Sequence, residues 1–219
     1  LSSLNETLRA NGFSLQIFHV RSCYLFEEIF SKHGPAEIWY NRQVEPYCIA
    51  RDSKVKELAE QSGGIVHEFD DTTLVPPGKV VNLQNEQYKV YTPFRNQLVK
   101  QIGPSDFEAR RVRFPEAVEA LIGPVFAGEK GTGDNDLSFT GGRKEALSIL
   151  KGFYRSGLSS YRSMRDYPGI NGTSRLSPHL HFGTISIREA YRSALKKQAE
   201  CKSEEELNEV KTWVNELIW

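Results

Sequence analysis

The sequence predicts an α/β fold in which a partial parallel sheet, wrapped by helices, is followed by the first part of an all-α domain. Strand and helix signals alternate through residues 1–102, an order typical of parallel sheets. Residues 103–140 lack periodicity and are rich in Gly, Pro, Asp and Asn, which predicts a connector between domains. From residue 141 onward the apolar residues recur at helical spacing.

Short strands and amphipathic helices account for the first region. Each strand candidate is a brief run of apolar and aromatic residues, and each helix candidate has apolar residues three or four apart. In chain order they are residues 15–19 (strand), 24–30 (helix), 36–40 (strand), 51–61 (helix), 65–69 (strand) and 93–102 (helix). The last helix has Pro93 in its first turn, where proline is tolerated.

Helices alone are predicted in the second region, at residues 144–154, 186–199 and 204–219. The second of these begins with a capping box formed by Ser186 and Glu189. In a capping box, each of the two side chains accepts a hydrogen bond from the main-chain N–H of the other residue. The third has an apolar stripe that includes Leu207, Val210 and Val214.

The composition is that of a globular protein, with 39% hydrophobic and 26% charged residues, so disorder is not predicted. Basic and acidic residues number 28 each, and the overall charge indicates no partner. Between Arg143 and Lys197, however, eleven basic residues oppose three acidic ones, a net charge of +8. This excess favours a polyanion such as DNA. Solvated basic helix faces explain the same charge equally well.

The cysteines Cys23, Cys48 and Cys201 are far apart and form no CxxC pair, so neither a disulfide framework nor a metal site is predicted. We expect a cytoplasmic location, and no apolar run approaches the roughly 20 residues needed to cross a bilayer. Because the sequence begins at Leu1 and ends at Trp219 inside a predicted helix, we expect it to be an internal piece of a longer protein.

A candidate anion site lies in the 172–178 loop, which has the sequence Gly-Thr-Ser-Arg-Leu-Ser-Pro. Its glycine permits a tight turn, its hydroxyls lie beside main-chain N–H groups, and Arg175 adds a positive charge. Ser177 is predicted as an N-cap with Pro178 at the first helical position. Together these groups suit a phosphate or diphosphate. An ordinary capped loop is the alternative.

The last predicted helix carries Trp213, Glu216 and Trp219 at intervals of three residues. Each interval rotates by about 60° around a helix, so two indoles and one carboxylate share a sector. Such a surface can stack flat rings while the acid hydrogen-bonds to their edges. The alternative is a helix-packing face whose glutamate reaches solvent.

Several motifs occur together in the order found in the photolyase/cryptochrome family. Residues 172–183, Gly-Thr-Ser-Arg-Leu-Ser-Pro-His-Leu-His-Phe-Gly, and 213–219, Trp-Val-Asn-Glu-Leu-Ile-Trp, resemble this family in the form of its class I cyclobutane-dimer photolyases. Shorter strings at residues 50–52, 69–71, 88–90 and 92–94 resemble it as well, so the resemblance covers nearly the whole chain.

The resemblance implies both the fold and the site residues. Residues 1–102 would form the family's Rossmann-like α/β domain without its first strands, and 141–219 would begin its helical FAD-binding domain. The implied FAD contacts are Tyr161, Thr173, Ser174, Arg175, Leu176, Ser177 and Trp213; the implied DNA contacts are Arg165, Glu216, Leu217, Ile218 and Trp219. Glu216 and Trp219 would also be catalytic, because they would line the lesion pocket.

The implied activity is light-dependent repair of cyclobutane pyrimidine dimers in ultraviolet-damaged DNA, a carbon–carbon lyase reaction driven by an electron from photoexcited reduced FAD. The family flips the lesion into a pocket, where Trp219 would stack on the bases and Glu216 would hydrogen-bond a pyrimidine edge. We expect the full-length protein to be a monomer without a membrane partner. We expect the chain alone to be inactive, because the second half of the flavin domain is missing.

Other functions stay open. A cryptochrome-type blue-light photoreceptor would share the fold and the flavin without repairing DNA, and six-four photoproduct enzymes resemble the 213–219 motif less. Outside the family, a nucleotide-binding α/β module would not require the Trp213, Glu216 and Trp219 sector. Folate-binding members have an Asn-Glu pair shortly before the string at residues 50–52, whereas residues 47–48 here are Tyr-Cys. Folate contacts are therefore not supported, and the second antenna chromophore stays unassigned.

Overall fold

The computed structural model describes residues 1–108 and 139–218, and their contacts divide into two units. The first unit contains residues 1–72. The second contains residues 73–108 together with 139–218.

A βαβ element forms the centre of the first unit. Its elements in chain order are α1 (Ser2–Ala10), α2 (Ser22–His33), β1 (Glu37–Asn41), α3 (Pro46–Gln61) and β2 (Ile65–Phe69). The strands β1 and β2 pair in parallel, from Glu37 opposite Ile65 to Asn41 opposite Phe69. Because parallel strands need a crossover connection, α3 joins their opposite ends. The predicted parallel sheet with flanking helices is confirmed in this unit.

Proline and glycine set the two ends of α3. The helix begins at Pro46, five residues before the predicted start, because proline's fixed φ suits a first helical turn. Past the helix, Gly63 adopts a φ of 79°, which glycine reaches without steric cost. Gly64 then passes so close to Ala36 that a Cβ would lie 2.5 Å from the Ala36 carbonyl oxygen. These glycines therefore allow the tight connection into β2.

Two parts of the first unit differ from the prediction. Within the described chain, residues 15–19 form an isolated bridge at Gln16 and pair with neither β1 nor β2. A strand depends on ladder hydrogen bonds to a neighbour, which local sequence cannot supply, so the predicted strand there was wrong. The helix α1 was not predicted, because its nine residues contain few apolar side chains.

The second unit is helical in its described part. Its elements are α4 (Tyr91–Gln101), a 3-10 turn (Pro104–Phe107), α5 (Arg143–Gly152), a π-helical turn (Phe153–Gly157), a second 3-10 turn (Leu158–Ser160), α6 (Tyr161–Met164), α7 (Ser177–His181), α8 (Ile187–Glu200) and α9 (Glu204–Ile218). The helix α9 packs against α8 and α6, and its Val210 and Trp213 belong to the hydrophobic core. The three predicted helices correspond to α5, α8 and α9.

The predicted capping box is present at the start of α8. Ser186 Oγ accepts from the Arg188 N–H at 3.2 Å, and the Ser186 N–H donates to Glu189 Oε2 at 3.1 Å. Arg143 donates to the same Glu189 carboxylate at 2.7 Å, which attaches α5 to the start of α8. A local sequence signal therefore also fixes a contact between two helices.

The helix α4 contacts the helical unit. Leu98 is 0% exposed and shares a hydrophobic cluster with Val210 and Trp213. Sequence analysis assigned residues 73–102 to the α/β domain, yet their contacts group with the helical elements. The spacing of apolar residues predicts that a segment is a helix or a strand, but it does not predict which other element packs against its apolar side. The predicted domain boundaries stay predictions, and most of the predicted connector lies outside the described residues.

Candidate functional site

The last turns of α9 carry several predicted site residues, which differ in exposure. Trp213 is 3% exposed, and its ring meets that of Phe153 edge-to-face with centroids 5.1 Å apart. The side chain of Glu216 is 50% exposed. Trp219 lies outside the described residues. The indole of Trp213 is thus covered by the protein's own core, whereas the carboxylate of Glu216 is accessible.

This arrangement differs from the open sector that the sequence predicts. Trp213 shares the buried side of α9 with Val210 and Leu217, at intervals of three and four residues. Leu217 and Ile218 are also buried, at 9% and 6% exposure. The packing face of the helix therefore includes the first indole, and contacts of Trp213 with a flavin, or of Leu217 and Ile218 with DNA, stay predictions.

An ion pair connects Glu216 to the end of α6. Arg165 Nη1 donates to Glu216 Oε1, and the Arg165 guanidinium lies 5.8 Å from the centroid of the Tyr161 ring. The hydrogen bond to Glu216 raises the pKa of Arg165 above its ordinary value. Both partners were predicted site residues, but they are 51 positions apart in sequence, and no local pattern indicated that they meet.

Tyr161 fills the space between Arg165 and the core. It is 8% exposed and packs edge-to-face on Phe153 with centroids 5.8 Å apart. Burial raises the pKa of the Tyr161 phenol, the negative charge of Glu216 raises it further, and Arg165 opposes both. Tyr161 therefore stays neutral. Its ring lies between the Arg165 guanidinium and the core and so supports the Arg165 side chain. Its predicted FAD contact stays a prediction.

The 172–177 loop turns back on α6 and alternates between exposed and covered residues. A Cβ on Gly172 would overlap the main-chain carbonyl of Met164, so only glycine fits this approach. Arg175 is exposed and adopts a φ of 54°, in the left-handed region. Among residues 1–108 and 139–218 it forms no ion pair. Thr173 and Ser177 are exposed as well, so the loop presents hydroxyls beside a positive charge that is not paired with any acid in the described part of the chain.

The start of α7 differs from the prediction by one residue. The N-cap is Leu176 and not Ser177, and Pro178 follows in the first turn. Leu176 is 1% exposed, and its N–H donates to Ser174 Oγ at 3.4 Å. Because its side chain is anchored in the core, packing and not a capping hydroxyl sets the helix start. The predicted FAD contact of Leu176 stays a prediction.

Contacts on the helical unit connect the loop to the acid on α9. Gly172 lies against Met164, and the next residue, Arg165, holds Glu216. The loop can bind an anion through Arg175 and its hydroxyls. The carboxylate of Glu216, at the far end of this series of contacts, is oriented by Arg165. The structure therefore joins two of the predicted groups within one unit.

Several basic residues of the 143–197 stretch are neutralised by acids. The pairs are Arg143 with Glu189 at 2.7 Å, Arg165 with Glu216, and Lys197 with Glu206 at 3.4 Å. Two of these acids lie on α9, beyond the stretch that was counted. The net charge of +8 therefore overstates the positive charge that this surface presents.

Two residues near Glu216 were not predicted. Tyr91 Oη donates to the Asn215 carbonyl oxygen at 3.0 Å, and Arg95 Nε donates to Asn215 Oδ1 at 3.2 Å. The helix was predicted to begin at residue 93, which left Tyr91 outside it. The spacing of four residues between two long hydrogen-bond donors was the available signal, but it does not identify their partner.

Comparisons with known proteins identify the family. The DNA photolyase family model matches residues 1–116, more than half of the chain. The chain therefore belongs to the DNA photolyase family.

Individual relatives share this assignment. The chain is 30% identical to the deoxyribodipyrimidine photo-lyase of Escherichia coli over 203 residues, which cover 91% of this chain and 42% of that protein. A bacterial class III photolyase from Agrobacterium tumefaciens has a similar fold, with a TM-score of 0.76 and 24% identity over all of this chain and 46% of that one. An archaeal photolyase from Sulfolobus tokodaii, solved with two FAD molecules, gives a TM-score of 0.64 at 27% identity over all of this chain and 44% of that one. The chain thus spans less than half the length of these proteins.

Among residues 1–108 and 139–218, the helices are all too short or too polar to cross a bilayer.

Proposed function

We propose that the full-length protein containing this chain repairs cyclobutane pyrimidine dimers in DNA, using light and reduced FAD. The contact path from the 172–177 loop through Met164 and Arg165 to Glu216 carries this proposal. These contacts connect the 172–177 loop, a candidate anion site, to the oriented carboxylate of Glu216 within one helical unit. The relative in Escherichia coli, named a deoxyribodipyrimidine photo-lyase, adds support.

The loop residues fit the diphosphate of FAD. Arg175 supplies a charge that forms no ion pair with the described residues, and Thr173, Ser174 and Ser177 supply hydroxyls that can donate to phosphate oxygens. When bound, FAD supplies the light absorption and the electron. The neutral phenol of Tyr161 and the covered ring of Trp213 would pack beneath the cofactor site and keep it dry. Leu176, which is 1% exposed, would anchor the loop in the core.

Arg165 and Glu216 would act on the DNA side of the site. A damaged pair of bases costs less to extrude from the duplex than sound bases, because its pairing and stacking are already weakened. Arg165 would contact a phosphate and position the strand. Glu216 would hydrogen-bond a pyrimidine edge, either by accepting from an N–H or, when it carries a proton, by donating to a carbonyl oxygen and so steadying the negative charge that develops on the base. Trp219 would stack on the extruded bases.

The test is repair by the purified full-length protein. Ultraviolet-irradiated DNA is incubated with the flavin-loaded protein under blue light or in darkness, and the remaining dimers are counted. Loss of dimers in light alone supports the proposal. A bound flavin without repair would instead indicate a photoreceptor of the cryptochrome type. Absence of flavin binding would contradict both functions and favour a different ligand-binding role.

A further inference from the structure

The turn of α9 that carries Glu216 is held from two sides. Arg165 holds the Glu216 side chain, and α4 holds the preceding residue, Asn215, through Tyr91 and Arg95. The two α4 donors bind different atoms of Asn215. Tyr91 binds the main-chain carbonyl oxygen, whereas Arg95 binds the side-chain amide oxygen. The orientation of this turn is therefore fixed in both its main chain and its side chain.

The helix α4 is itself anchored, so it can serve as a rigid support. Leu98 is 0% exposed and lies on the same side of α4 as Tyr91 and Arg95, at intervals of seven and three residues. Tyr91 and Arg95 are both half-buried. A flexible surface side chain could not fix the position of a helix turn, but donors on a helix packed into the core can.

The electrostatic environment of Tyr91 agrees with this geometry. Burial raises the pKa of the Tyr91 phenol, the positive charge of Arg95 opposes this, and the negative charge of Glu216 raises the pKa as well. The carboxylate of Glu216 is thus close enough to affect Tyr91 directly. Tyr91 stays a neutral hydrogen-bond donor at physiological pH.

We propose that Tyr91 and Arg95 are positioning residues that set the orientation of Glu216 through Asn215. This inference rests on the proposed repair function, in which Glu216 contacts the lesion. The supporting residues lie on α4, on either side of the family string at residues 92–94, and neither belongs to that string. The efficiency of repair would therefore depend on a helix outside the motifs at residues 172–183 and 213–219.

The test is a double-mutant cycle in the full-length flavoprotein. Arg95→Ala and Asn215→Ala each remove the same side-chain hydrogen bond, so each should lower the repair yield per absorbed photon by about threefold, as expected for one hydrogen bond. The double variant should be no worse than either single variant. Tyr91→Phe removes a bond to the main chain, which Asn215→Ala leaves intact, so those two effects should add. Lys100→Ala, which removes an exposed positive charge from the same helix, is the matched control and should change nothing.

Adding Arg95→Ala to a protein that already carries Glu216→Ala distinguishes a positioning role of Arg95 from a purely structural one. There Arg95→Ala should cause no further loss of yield, whereas a general weakening of the fold would lower it again. Flavin content is measured for every variant, and Arg95→Lys replaces Arg95→Ala if the latter does not retain flavin. An unchanged yield in both single variants would overturn the inference, as would a loss of DNA affinity without a loss of yield. If the wild-type protein repairs no dimers, the proposed function itself fails; if it repairs them and the cycle is additive, only this inference fails.

Discussion

Arg165 donates a hydrogen bond to Glu216 from a position 51 residues earlier in the chain, and the two side chains remain 31% and 50% exposed. Ion pairs this open to solvent contribute only about 0.2–1 kcal/mol to the free energy of unfolding. The pair therefore fixes the direction of a carboxylate without contributing much to stability. Substitutions at either residue should affect function far more than folding.

Glu216→Ala in the full-length protein should lower the repair yield more than it weakens binding of dimer-containing DNA. A hydrogen bond to a charged group contributes about 1.5–3 kcal/mol, which predicts a loss of about tenfold or more in yield. Dimers lost per absorbed photon at saturating DNA measure the yield, and fluorescence anisotropy measures affinity. Glu204→Ala, which removes an exposed acid from the first turn of α9, is the control. An unchanged yield would show that Glu216 does not have this role.

Arg165→Ala should reduce the salt dependence of DNA binding. Each phosphate contact contributes about −0.9 to the slope of log affinity against log salt concentration on duplex DNA, and one contact is removed. Binding is measured by anisotropy at several salt concentrations. Lys151→Ala removes a comparable exposed charge from α5 and should leave the slope unchanged. Equal slopes for the wild type and Arg165→Ala would exclude a phosphate contact by this residue.

Gly172→Ala should weaken flavin binding, whereas Gly169→Ala should not. A Cβ at residue 172 would overlap the Met164 carbonyl group, while a Cβ at residue 169 would meet no atom within 4 Å. Forcing extra atoms into a packed site costs about 1–3 kcal/mol, which is equivalent to roughly fivefold to a hundredfold in an equilibrium constant. The ratio of flavin to protein absorbance after purification measures the effect. Similar flavin content in both variants would argue against a flavin site in the 172–177 loop.

Local signals allowed much of this fold to be predicted, while contacts distant in sequence were not predictable. The Ser186 and Glu189 capping box involves residues three apart, so its prediction was confirmed. The prediction of a strand at residues 15–19 was wrong, because strand formation depends on a partner elsewhere in the chain. The same limit applies to the site. Composition and spacing suggested an anion loop and an acid, and the alternative of a helix-packing face agrees with the burial of Trp213, but the pairing of Arg165 with Glu216 has no local signature.

Resemblance to the family supplied the roles of the site residues, but it did not identify residues that support the site without contacting a ligand. The resemblance assigned ligand contacts only to residues between 161 and 219. Tyr91 and Arg95 meet Asn215, not a ligand, and are joined to it only by the packing of α4 against the helical unit. Supporting residues of this kind become visible only in coordinates.

The capping box at α8 predicts how stability should depend on pH. Glu189 accepts from Arg143 and from the Ser186 N–H, and these bonds, led by that from Arg143, lower the pKa of Glu189 below its ordinary value of 4.5. A carboxyl group whose pKa is lower in the folded state stabilises that state at every pH above its unfolded pKa. Its contribution is lost as the pH falls through the folded-state value. Glu189 is 23% exposed at its side chain, so solvent screens this contribution only in part.

Glu189→Ala should therefore destabilise the full-length protein at neutral pH by about 1–2 kcal/mol, the usual effect of losing a helix cap. The difference from the wild type should shrink as the pH is lowered past the ordinary glutamate range, because the wild-type carboxylate is then protonated as well. Glu189→Gln keeps an acceptor for the Ser186 N–H but not the charge, so it should lose less stability and do so with little pH dependence. Urea denaturation followed by tryptophan fluorescence at several pH values measures these differences, with Glu145→Gln on α5 as a control for the loss of another half-buried acid. A difference between Glu189→Ala and the wild type that stayed constant with pH would show that capping geometry alone, and not the charge paired with Arg143, stabilises the start of α8.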